Sequence, residues 1–181
     1  MKIHILGLAA ALFTSNINAG ECGFSSSVRM AASTFEVAFP ERRSLIQVFQ
    51  VSEREGDANL KVCLSYWAGG EERATHLETL GPEGRAAEFA SVFTLDADGD
   101  GERELFMVAK WPVRHEAIRT SGALYRVYVY RKSVGGTGRI EIRRADNIEA
   151  RLGAGFDGMQ EGEQVSFSYK DYESIRNALL R

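Results

Sequence analysis

The sequence predicts a mainly β (α+β) fold: a single antiparallel β-rich domain closed by a short C-terminal helix. Three observations point there. Short segments rich in β-branched and aromatic residues recur along the chain, divided by glycine, proline and charged clusters. Helical spacing of apolar residues is confined to the last stretch, after Asp171. The chain has 181 residues and shows no internal repeat, which bounds it to one ordinary domain rather than a solenoid or propeller.

The N-terminus sets what belongs to that domain. Lys2 supplies a positive start, residues 3–13 are almost unbroken apolar, and a polar stretch leads to Ala19. This is the pattern of a secretory signal peptide over residues 1–19, although Ile17 is bulkier than the usual small residue two positions before cleavage. A short buried strand or helix is the competing reading. A lipid anchor on Cys22 is disfavoured because Glu21 stands where a small residue is wanted. The apolar run falls short of the ~18 residues that a membrane-spanning helix needs, and no later segment approaches that length. Residues 20–181 then form the domain, in a periplasmic or secreted setting, and about 160 residues is enough for a real core.

Two cysteines, Cys22 and Cys63, lie in this part. In an oxidising compartment they permit one connectivity, which would pin the start of the domain to a strand near position 63. Two separate buried thiols are the alternative. The net charge of −3 is mild and both signs are interspersed, so no basic stripe suggests nucleic acid and no polybasic patch suggests a membrane surface.

Strands are expected at residues 45–51, 60–67, 88–95, 105–111 (stopped by Pro112), 124–132, 140–144 and 165–169. In the second, Leu60, Val62, Leu64 and Tyr66 share a face. The glycine-rich stretch 153–162 reads as a turn-rich connection, because it lacks the Lys-Ser/Thr ending of a P-loop. At the C-terminus Asp171 can cap a helix whose Tyr172, Ile175, Ala178 and Leu179 fall on one side.

One constellation carries specific chemistry. Residues 96–104 read Asp-Ala-Asp-Gly-Asp-Gly-Glu-Arg-Glu, with carboxylates at loop positions 1, 3, 5 and 9 and Gly101 at position 6. Alternate oxygens on a curled backbone can converge on one hard cation, and calcium takes about 6 to 8 oxygens. An EF-hand is excluded, since position 12 is Met107 rather than glutamate and both flanks read as strands. The arrangement of strand, D-x-D-G-D-G-x-x-E and strand over residues 93–111 resembles the calcium loop of FG-GAP and VCBS-type repeats. That resemblance implies Ca2+, with Asp96, Asp98, Asp100 and Glu104 as side-chain ligands and Glu102 offering its backbone carbonyl. It is local, and the propeller that hosts such repeats does not fit in this length. A hairpin turn that binds nothing is the competing reading, because Asp and Gly are common turn formers.

Catalytic signatures are sparse. His76 and His115 lie in no zinc-binding pattern, and no G-x-S-x-G elbow occurs. Paired acids such as Glu71 and Glu72 read as a solvated face. Along 124–132, Tyr125, Val127 and Val129 form a core stripe, while Arg126, Tyr128, Tyr130 and Lys132 lie opposite. Tyrosine beside arginine suits a protein partner, so Arg126, Tyr128 and Tyr130 are candidate partner-binding residues. The same tyrosines could instead lie under the C-terminal helix with their hydroxyls in water. The expectation is an exported, calcium-stabilised binding protein without catalysis, such as an inhibitor or immunity protein against a cell-wall hydrolase or periplasmic toxin. A hydrolase of envelope polysaccharide or peptide with a structural calcium is the alternative.

Overall fold

The computed structural model describes Cys22 and residues 33–52, 58–136 and 138–180; the expected signal peptide lies outside them. Two antiparallel sheets and a layer of short helices make three layers. The first sheet is a meander of β1 (Ser33–Val37), β2 (Ser44–Ser52), β3 (Ala58–Ala68) and β4 (Glu71–Leu80), paired in chain order. The second contains β5 (Glu88–Leu95), β6 (Glu104–His115), β7 (Thr120–Val134), β8 (Ile140–Arg144), β9 (Ala154–Gln160) and β10 (Glu163–Val165). Its order is β10-β9-β7-β6-β5, and the long β7 also carries β8 on the edge beyond β9. Helices α1 (Asp146–Leu152) and α2 (Tyr172–Leu179) cover its outer face. The mainly β fold with a short C-terminal helix is therefore the observed one.

Burial explains the sequence of the central strands. Between the sheets pack Ile46, Val48, Val62, Leu64 and Tyr66 against Leu105, Met107, Ala109 and Trp111. On the opposite face Phe106, Val108, Val127 and Val129 meet Ile148 and Leu152 of α1 and Ile175 and Leu179 of α2. β6 is thus covered on both sides, and its residues 105–109 are all buried. That is why it reads as an unbroken apolar run rather than an alternating one. Each Val, Leu, Ile, Phe or Met among them contributes roughly 1.5–3 kcal/mol on full burial.

Hydrogen bonds from Trp111 and Tyr130 reach across the interface between the sheets. The Trp111 indole N–H donates to the Gly81 carbonyl at 2.8 Å, and the Tyr130 hydroxyl donates to the Leu77 carbonyl at 3.1 Å. A bulge between Phe89 and Ser91 resets the parity of β5. Phe89 and Val92 consequently both face the first sheet, while Phe93 faces the helices.

Several expectations are corrected. β6 does not stop at Pro112 but runs to His115, because β5 pairs only as far as Lys110 and leaves Pro112 on an open edge where a missing N–H costs nothing. The stretch 153–162 is mostly strand, not turn. Its Gly158 pairs with Gly122 of β7, and a Cβ on either would fall within 2.5 Å of the other strand's backbone carbonyl oxygens, so glycine is what lets β9 close on β7. Residues 166–169 lie outside the strands, with Phe167 buried among the helices instead. β1, β4 and α1 were not anticipated.

The C-terminal helix matches its reading closely. Asp171 accepts a hydrogen bond from the Ser174 N–H at 2.9 Å, and the Ser174 side chain answers on the Asp171 backbone N–H. Ile175 and Leu179 are buried, and Tyr172 packs edge-on against the Phe93 ring.

Cys22 and Cys63 form a disulfide with 6.2 Å between their Cα atoms. Cys63 lies on the face of β3 turned away from the second sheet, in a small cluster with Phe49. Closing a loop of 41 residues stabilises by about 3–4 kcal/mol if the effect is chain entropy.

Candidate metal centre

The acidic loop joins the two neighbouring strands β5 and β6, which are closed by the pair Leu95 and Glu104. Its curl is held from within. Asp96 accepts N–H hydrogen bonds from Gly99 at 2.8 Å and Gly101 at 3.1 Å, one on each carboxylate oxygen. Gly99 and Gly101 sit at φ of 78° and 88°, left-handed backbone that favours glycine. Asp100 accepts from the Glu102 N–H at 2.7 Å, and Arg103 reaches back to the Thr94 carbonyl.

This curl brings three carboxylates together. Oxygens of Asp96, Asp98 and Glu104 all lie within 4.8 Å of one another. The three are oxygen donors of a hard type, and they can hold a metal ion. The side chains of Asp100 and Glu102 are outside this group. Asp100 is turned onto its own loop, and Glu102 forms an ion pair with Lys132 of β7 at 2.7 Å.

Glu104 is the unusual member. It begins β6 on the helix-covered side and is only 2% exposed. One oxygen accepts the Ala97 N–H at 2.9 Å. Burial pushes its carboxyl above the usual range, the Ala97 N–H pulls the other way, and the charge on Asp98 adds to the rise. Burial thus raises the cost of its anionic form, and a cation beside it would lower that cost. The fold supplies part of that charge. The Arg131 guanidinium lies 3.7 Å from Asp98 and also donates to Asn147 of α1 at 3.1 Å. Sequence reasoning missed Arg131 and Lys132 as neighbours of the loop, since their approach depends on β7 pairing with β6 and no local pattern signals it.

The tyrosine surface is corrected. Tyr128 and Tyr130 are 4% and 3% exposed and point into the core between the sheets, so neither can meet a partner there, and neither lies beneath α2. Burial pushes both phenols upward, most of all Tyr130. The physical reason is that β7, like β6, is covered on both faces along this stretch. Arg126 alone of the three is exposed, and it lines an open groove of about 290 Å³ beside α1 with Asp146 and Glu149.

Over these tyrosines sits a second charged cluster. Arg144 stacks 5.0 Å from the Tyr128 ring centre and 5.6 Å from that of Tyr130. It pairs with Glu149 of α1 and with Glu78 of β4, so one guanidinium ties all three layers. A third cluster joins Ser166, Asp157 and Lys170. The Lys170 ammonium donates to Asp157 at 2.9 Å, and so does the Ser166 hydroxyl at 3.1 Å. That ion pair holds Asp157 below and Lys170 above their ordinary ranges.

Compared with known proteins, the chain matches no family model, no curated protein and no solved structure. Among the described residues, no helix is long and apolar enough to cross a membrane.

Proposed function

We propose that this protein is an exported binding protein without catalysis, in which a bound calcium ion clamps the β5–β6 hairpin. The carrying observation is the convergence of Asp96, Asp98 and Glu104 at the mouth of the central strands. Calcium suits an all-oxygen, partly hydrated and irregular site better than magnesium, which demands a tight octahedron. The loop's likeness to FG-GAP and VCBS-type calcium loops points the same way. Since β6 is buried continuously from its first residue to Ala109, a cation that holds Glu104 would restrain the core directly, and its role would be structural.

Export is supported by the apolar N-terminal run and by the Cys22–Cys63 bond, which belongs in an oxidising compartment. Binding rather than catalysis is supported by the absorption of Glu78 and Glu149 in the Arg144 tie, which leaves that carboxylate pair engaged with a guanidinium. The narrower reading is an inhibitor or immunity protein for a wall hydrolase or periplasmic toxin, with Arg126 on the contacting surface.

Calcium titration of the purified chain, followed by calorimetry and by terbium luminescence, tests the site. Saturable one-to-one binding that Glu104→Gln removes supports the clamp; a flat titration at millimolar calcium rejects it. For the narrower reading, the folded chain is offered to purified wall hydrolases. Inhibition weakened by Arg126→Glu supports it, and turnover of wall fragments by the chain alone overturns it.

A further inference from the structure

We draw no further inference here: the strongest candidate, the exposed Trp67 beside the β3–β4 turn at the same end of the sandwich as the acidic loop, carries nothing because nothing in the structure shows what covers it.

Discussion

Two charged clusters of this fold are built on opposite principles. In the Arg144 tie one guanidinium stands between Glu78 and Glu149, each side chain about one-fifth to one-third exposed, with tyrosine faces beneath. Burial opposes the charge on Arg144, but Glu149, Tyr130 and Glu78 outweigh it and push its pKa up. The chain supplies both signs, and the cluster needs nothing from outside. In the acidic loop three carboxylates converge, and Arg131 and Lys132 offset them from the rim, paired to Asp98 and Glu102, with Arg131 also easing the charge on Glu104. Burial then makes the anionic form of Glu104 costly. A cluster with its cation built in at the centre is a structural joint. One whose carboxylates converge without a central cation is an opening for one.

That contrast predicts opposite responses to losing a charge, and the largest effect is expected at the loop. Calcium at a hundred times its dissociation constant should stabilise the fold by about 2.7 kcal/mol. Such a gain is a rise of roughly 5–10 °C in Tm for a domain this size. Differential scanning calorimetry in calcium and in EDTA measures it. Glu104→Gln should abolish the rise without lowering Tm in EDTA, since the amide still accepts from Ala97 and carries no charge. If Glu104→Gln were as damaging in EDTA as in calcium, the loop would be a joint like the other cluster.

Next in size is Arg144→Met. It strands Glu78 and Glu149 as half-buried like charges and should cost about 2 kcal/mol by urea unfolding, less than a fully buried pair because water still reaches it. Adding Glu78→Gln and Glu149→Gln should recover most of that loss, because a neutral cluster no longer needs its cation. No such recovery would mean that the guanidinium acts by packing on the tyrosines rather than by charge.

A smaller effect separates rim from centre. Arg131→Gln should tighten calcium binding about fivefold, roughly 1 kcal/mol, by removing a positive neighbour that repels the ion across a partly solvated gap. Isothermal titration at low salt reads the change, and it should shrink as salt is raised. Unchanged affinity would remove Arg131 from the loop's electrostatics.

The smallest effect concerns the third cluster, which like the Arg144 tie has both signs. Lys170 holds the folded pKa of Asp157 below its ordinary value of 3.8. Its contribution is therefore complete above that value and is lost as pH falls through the lower, folded one. Asp157→Asn should leave Tm at neutral pH slightly reduced and flatten its fall on acidification below about pH 4. An acid limb identical to that of the unaltered chain would show that the pair does nothing for stability.

Legibility in the sequence followed the range of the interactions concerned. Strands such as β3 were readable because Leu60, Val62, Leu64 and Tyr66 alternate over one short window. β9 was hidden because Gly155 and Gly158, chosen for close approach to Phe167 and β7, look like turn residues. Helix α1 offered only Ile148 and Leu152 as a periodic pair, and Ala145 gives it no side-chain cap.

By itself, then, the sequence determined the mainly β class, the Asp171 cap and the curl of the acidic loop, and it left the two cysteines one possible pairing. Each follows from side chains acting on their own backbone or, for the cysteines, from having a single possible partner. Only the tertiary structure decided that Asp96, Asp98 and Glu104 converge while Asp100 and Glu102 turn aside. It alone decided that Tyr128 and Tyr130 are core, and that Arg131 leans on the loop. Those outcomes depend on which layer covers which face of β6 and β7 and which charges strand pairing brings close, and a solvated stripe and a buried one share the same two-residue period.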